Sequence, residues 1–250
     1  MLNYLIYIFK KIARKLKRQS AFDGMYAYRK YLFEDLKELF LNESLENSRV
    51  LEIGPKDGED THRILSLNPK ELILFDLPDK TNEIKDWKSL LRKQDKLIID
   101  NFMYLENKDF RDLGKFDLIY FTGVLYHNPE QLRFLNKLYE KLNSGGILVL
   151  ETATIRNPFI RRLNIVQIWH PQTYRNTTTI SHLPSKKAVT SWLEMVGFSN
   201  IRISNCYDKE NFNVRATRLA LIAEKKQEKS QQVYYEKQIK NSDYFIGGSS

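Results

Sequence analysis

The chain has 250 residues, 42% of them hydrophobic, which is enough for one large domain with small additions and a sizeable buried core. Its 40 Lys and Arg against 31 Asp and Glu leave a formal charge of +9, which favours anionic partners such as RNA, acidic lipid or phosphorylated glycan without choosing among them. A single cysteine, Cys206, excludes an intrachain disulfide framework. The four histidines, His62, His127, His170 and His182, lack the spacing of metal ligands on a helix, so no metal is expected.

Residues 1–18 read as a basic amphipathic helix. Leu2, Leu5, Ile6, Phe9, Ile12, Ala13 and Leu16 recur at helical spacing, while Lys10, Lys11, Arg14, Lys15, Lys17 and Arg18 crowd the second half. The apolar run is too short to span a bilayer, and no small-residue cleavage site follows it. Three uses stay open for this helix: contact with an anionic membrane surface, docking on its own domain, or contact with nucleic acid. Residues 19–48 form a helical cap and linker, with a second amphipathic helix over 25–41 after Asp23-Gly24 and a polar connection over 42–48.

The next stretch organises the rest. Val50-Leu51-Glu52-Ile53 is an apolar strand with an acidic residue near its end. Gly54-Pro55-Lys56-Asp57-Gly58 is a tight loop, and residues 61–67 open a helix. Glycines at 54 and 58 let the backbone approach a ligand at the carboxyl end of a parallel strand. Lys56 stands where a dinucleotide fingerprint needs its second glycine, which disfavours a pyrophosphate cofactor. A second strand over 71–75 ends in Asp76, followed by Leu77. Asp76 lies about 24 residues after Glu52, near the spacing at which an acidic group meets ribose hydroxyls. Carboxylates at two neighbouring strand tips suit a ligand with a cationic amine and a ribose diol and repel phosphate. S-adenosylmethionine has both features and no phosphate. A third strand over 97–99 ends in Asp100-Asn101, polar groups suited to an adenine edge.

Strands continue over 116–121 and 146–150, with helices over 61–67, 82–92 and 130–142 between them. This alternation predicts a parallel sheet covered on both faces. Gly123-Val124-Leu125-Tyr126-His127 falls at the end of the fourth strand, where such sheets bind ligands. His127 is the candidate base if the acceptor must lose a proton; the alternative is that it holds the loop before Pro129 and fixes Tyr126. Residues 152–183 are too long for a simple connection and read as a lid or substrate insertion, with Arg156, Trp169, Tyr174 and Arg175 as candidate acceptor contacts. A helix over 185–196 has Ser185 as N-cap and Gly197 after its last turn. Strands over 201–203 and 217–223 follow, and 224–250 reads as a charged tail.

As an ordered set, Leu51-Glu52-x-Gly54-x-x-x-Gly58, Asp76, Asp100, Phe116-Asp117, the Gly123 to His127 run and Leu142-Asn143-Ser144-Gly145-Gly146 resemble the class I S-adenosylmethionine-dependent methyltransferases over residues 49–223. The resemblance implies a Rossmann-like, doubly wound α/β fold: a seven-stranded sheet in a three-layer α/β/α sandwich, its last strand antiparallel. It also implies that Glu52, Gly54 and Gly58 line the donor's methionine side, that Asp76 and Leu77 meet the ribose, and that Asp100 and Asn101 face the adenine. Tyr126, His127 and Arg175 would then meet the acceptor.

Within that superfamily, Val124 to His127, Leu150-Glu151-Thr152, Tyr174-Arg175-Asn176 and Pro184-Ser185 are similar to the bacterial tRNA wobble-uridine carboxymethyltransferases. That family uses carboxy-S-adenosylmethionine, for whose extra carboxylate Tyr126 and Arg175 would be the donors by this match. The expectation is a cytoplasmic methyltransferase, peripheral on the inner face of the membrane if the first helix binds lipid. Its acceptor is an envelope glycan or lipid, or RNA. Carboxymethyl transfer to tRNA is one alternative, and a non-catalytic protein of the same fold at a membrane or partner surface is another.

Overall fold

The computed structural model describes residues 29–39, 45–56, 58–78, 88–100, 108–171, 181–204 and 217–226. Seven strands build the main sheet: β1 (Arg49–Ile53), β2 (Glu71–Asp76), β3 (Lys96–Ile99), β4 (Phe116–Thr122), β5 (Leu142–Ala153), β8 (Phe198–Ile203) and β9 (Arg218–Lys225). Their order is β3-β2-β1-β4-β5-β9-β8. The first five pair in parallel, and β9 runs antiparallel to both β5 and β8. This is the expected doubly wound sheet, with its crossover between β1 and β4.

Two apolar layers hold it. On one face Leu51, Ile53, Phe75, Phe121 and Leu150 pack under α4 (Gln131–Lys141) and α5 (Lys186–Val196), which contribute Phe134, Leu135, Leu138, Val189 and Leu193. On the other, Val50, Leu74, Tyr120, Val149 and Ile222 pack under Leu32, Phe33 and Leu36 of α1 (Arg29–Leu39) and Ile64 of α2 (Glu59–Leu65). Both faces are dry, which is why the central strands read as unbroken apolar runs. The remaining described α-helix, α3 (Lys108–Asp112), adds Phe110 edge-on to Phe75 at 6.0 Å. The caps of α5 are those expected: Ser185 Oγ accepts from the Ala188 N–H at 2.9 Å, and Gly197 closes the helix at φ 112°.

Three expectations are refined. The Leu142 to Gly146 turn is not a loop before a strand but an irregularity within β5: Phe116 pairs with Leu142 and Leu118 with Ile147, so the ladder absorbs the residues between. The last strand continues past Ala223, because Glu224 pairs with Ile147 and Ser199 and Lys225 with Phe198. The insertion after β5 contains its own antiparallel pair, β6 (Val166–Trp169) and β7 (Ser181–Pro184), after a 3-10 turn over Ile160–Arg162. Of the helix expected over 82–92, the described part is the 3-10 turn Lys88–Leu90. Residues 1–18, and the tail beyond 226, lie outside the described residues. No described helix is long and apolar enough to cross a membrane.

Candidate active site

The loop after β1 alternates its backbone hand: Gly54, Lys56 and Gly58 have φ of 76°, 51° and 75°. Gly54 has no room for a side chain as well as no φ penalty, since a Cβ there would lie 2.5 Å from Val124 Cγ2 in the loop after β4. Lys56 takes the left-handed conformation without being glycine, and the turn it makes aims its N–H at Asp76. The Asp76 carboxylate, 3% exposed, accepts from Lys56 N–H at 3.1 Å and from Leu77 N–H at 2.8 Å. The Asp76 carbonyl accepts in turn from Asp100 N–H at 3.0 Å, which ties the tip of β3 to the same point. Gly54, Gly58, Asp76, Leu77 and Asp100 are therefore brought together; Asn101 lies outside the described residues.

Glu52 is 2% exposed and accepts from Thr61 Oγ1 at 2.7 Å. Burial, reinforced by the neighbouring Asp60 carboxylate, pushes its carboxyl group well above the usual range. It opens a polar row beneath α1 that the sequence reading did not assemble. Asp60 accepts from Arg29 Nη1 at 3.2 Å, Arg63 Nη1 at 2.7 Å and Thr122 Oγ1 at 3.2 Å. Arg29 Nη2 reaches on to Glu151 Oε2 at 3.5 Å, and Glu151 is gripped by Arg218 through both Nε and Nη2, the latter at 2.6 Å. Glu151 is 0% exposed, and this double guanidinium pairing offsets the cost of burying its charge. Gly123 leaves the space for Arg29, because a Cβ there would lie 2.7 Å from Arg29 Nη2. The Tyr120 hydroxyl, fully buried on the same face, has no hydrogen-bond partner among the described residues.

Tyr126 and His127 sit in a 3-10 turn, Leu125–His127, directly after β4. Their rings lie 3.9 Å apart between centroids, and the Arg218 guanidinium carbon is 5.4 Å from the Tyr126 ring centre. Tyr126 thus joins the buried ion pairs to the insertion, where it packs with Trp169 against Ala153, Ile155 and Leu183. The side-chain amide of Gln131 pins the two parts together, donating to Leu125 O at 3.0 Å and to His182 O at 2.7 Å. Arg156 is exposed beyond β5, whereas Trp169 is half-buried and serves the packing. Tyr174 and Arg175 lie outside the described residues. Among the described residues, no three His, Cys, Asp or Glu side chains are grouped to hold a metal ion.

The family described as Methyltransferase domain matches residues 25–203. A tRNA U34 carboxymethyltransferase of Nautilia profundicola is 31% identical over 159 residues, covering 64% of this chain and 50% of that protein. The enzyme of the same description from Helicobacter pylori strain Shi470 is 29% identical over 159 residues, covering 64% and 59%. The chain thus spans about half to three-fifths of the length of these curated relatives. Among solved structures, the N-terminal domain of EvdMO1, crystallised in the presence of SAH and D-fucose, superposes with a TM-score of 0.59 at 16% identity, over 78% of this chain and 83% of that one. A Listeria monocytogenes structure described as a putative S-adenosylmethionine-dependent methyltransferase gives 0.57 at 12% identity, over 79% and 99%. The chain belongs to the methyltransferase domain family and has the Rossmann-like fold of the class I S-adenosylmethionine-dependent methyltransferases.

Proposed function

We propose that this chain binds S-adenosylmethionine at the tips of β1, β2 and β3 and transfers its methyl group to an acceptor that enters beside Tyr126 and His127. The observation that carries the reading is the Asp76 carboxylate, buried at the tip of β2 and oriented by two backbone N–H groups. A buried carboxylate held in this way presents the acceptor that the vicinal hydroxyls of a ribose need. The side chain at Lys56 keeps a pyrophosphate from the loop, while a sulfonium nucleoside brings no phosphate. The donor supplies an electrophilic methyl group on a cationic sulfur. The chain's work is then alignment and exclusion of water. Tyr126, fixed between Arg218 and the insertion, orients the acceptor, and His127 takes a proton from an acceptor hydroxyl or amine that must lose one. Residues 152–183 serve as the acceptor-binding element.

Carboxymethyl transfer to a tRNA uridine is the second reading. It is favoured by the 31% identity to a protein of that description and by Arg175, whose guanidinium fork suits an additional donor carboxylate. Calorimetric titration of the full chain with S-adenosylmethionine and with its carboxylated analogue separates the two. The methyl reading expects the ordinary donor to bind, to lose at least tenfold in Asp76→Ala, and to be unaffected by Arg175→Ala. Tighter binding of the carboxylated donor that depends on Arg175 moves carboxymethyl transfer to first place. Binding of neither removes both and leaves a non-catalytic protein on this fold.

A further inference from the structure

Apolar exposure in this molecule is concentrated in one place. Of the seven large apolar side chains left exposed among the described residues, four lie between positions 159 and 168: Phe159 at 84%, Leu163 at 55%, Val166 at 36% and Ile168 at 64%. The two on β6 follow the two-residue period of a strand, so Val166 and Ile168 emerge on one side while Trp169 turns inward. The exposure is built rather than slack. Asn157 caps the turn, its side-chain oxygen accepting from Phe159 N–H at 2.9 Å. Ser185 N–H donates to Ile165 O at 2.9 Å and the Ser185 hydroxyl donates to Leu163 O, so the ridge is fastened to the start of α5.

Charge in the same segment is one-sided. No Asp or Glu occurs between Thr152 and Leu193, in a chain that has 31 of them, while Arg156, Arg161 and Arg162 flank the apolar residues. An exposed apolar ridge in a segment that carries arginines and no carboxylate of its own fits an anionic surface with an apolar interior. The aliphatic majority decides between the two such partners. Phe159 could stack on a base, but Leu163, Val166 and Ile168 present no π-face and gain only from leaving water for hydrocarbon.

We infer that this ridge, Phe159, Leu163 and Ile168 with Arg156, Arg161 and Arg162, is a docking surface for an anionic phospholipid membrane. Apolar side chains enter the headgroup and acyl boundary, and arginines meet lipid phosphates. Because Trp169 and Tyr126 join this insertion to the carboxyl edge of the sheet, docking sets the candidate active site beside the lipid surface. The inference stands independently of which donor is bound, and of residues 1–18.

Co-sedimentation of the full chain with phosphatidylglycerol-containing vesicles, and with pure phosphatidylcholine vesicles, tests it. The expected result is binding to the anionic vesicles that falls at least tenfold in the double variant Phe159→Asp/Ile168→Asp. A second variant, Arg161→Gln/Arg162→Gln, lowers binding to anionic vesicles only. Both are expected to keep the wild-type melting temperature and donor affinity. Wild-type protein that stays in the supernatant when the anionic vesicles are pelleted overturns the inference. So does vesicle binding that ignores both ridge variants and disappears only when the cations of residues 1–18 are replaced. Loss of oligoribonucleotide binding in the ridge variants, with vesicle binding unaffected, also overturns it and assigns the surface to RNA.

Discussion

Glu52 ends the polar row at the β1 tip with its carboxyl group enclosed and an acidic neighbour in Asp60, so folding works against its charge. The sign follows from the proton balance. Below the ordinary carboxylate pKa of about 4.3, Glu52 is protonated in both folded and unfolded chains and contributes no pH dependence. Above it the unfolded chain releases the proton while the folded chain keeps it, so stability falls with rising pH until the raised folded pKa is passed. Glutamine is never charged and can still accept from Thr61 Oγ1. Glu52→Gln is therefore expected to melt with the wild type near about pH 4 and increasingly above it towards neutrality. Each kcal/mol of that gain moves the Tm of a chain this size by about 2–4 °C. Calorimetric melts of both proteins from acid to neutral pH check it; a gap that is constant across that range, or that closes as pH rises, would overturn the assignment of a buried, proton-retaining Glu52.

At the scale of elements, the question is what seats α1 on the sheet. Leu32, Phe33 and Leu36 supply the apolar contact, each contributing about 1.5–3 kcal/mol on full burial. Arg29 supplies register, because its guanidinium lies between Asp60 and Glu151 in the space that Gly123 leaves open. Gly123→Ala is predicted to lose about 2–4 kcal/mol: left-handed backbone costs about 1–2 kcal/mol for a non-glycine residue, and the rest comes from displacing a buried cation from its partners. If that second part is real, the loss in Gly123→Ala combined with Arg29→Ala falls short of the sum of the single losses by about 1 kcal/mol or more in denaturant unfolding. Strict additivity would mean that Gly123 matters for its φ alone. This coupling was not legible in the sequence. Arg29, Asp60, Glu151 and Arg218 pair with one another across 31 to 122 residues, and no local period links them. What could be read were features written locally: acidic residues closing apolar runs at Glu52 and Asp76, glycines in the loop between strand and helix, and the Ser185 and Gly197 caps. The β6 and β7 pair escaped because its outward face is apolar where a solvated hairpin would be polar, and its strands lie too far apart in the chain for a tight-turn signal.

For the whole molecule, the candidate donor site is inseparable from the sheet. Asp76 ends β2 and Glu52 is the last residue but one of β1, strands whose other members fill both apolar layers, and backbone bonds from Gly54 to Phe75 and from Asp100 to Asp76 stitch the tips together. The candidate site at those tips is lost only when the sheet opens, so the binding free energy of a ligand there adds to global stability instead of protecting a single loop. At 100 times its Kd such a ligand contributes about 2.7 kcal/mol, which for a chain of this size raises the Tm by roughly 5–10 °C. In the proposed pose, removing the Asp76 carboxylate forfeits its hydrogen bonding to the ribose; a single charge-assisted bond is about 1.5–3 kcal/mol, so Kd weakens by at least roughly ten- to a hundredfold. At the same donor concentration Asp76→Ala should then gain no more than about 3–5 °C, and close to nothing at the upper limit of that loss. Scanning fluorimetry of wild type and variant with and without S-adenosylmethionine reads both numbers. Equal rises would place the ribose away from β2, and a wild type that does not respond would remove the donor from these strand tips altogether.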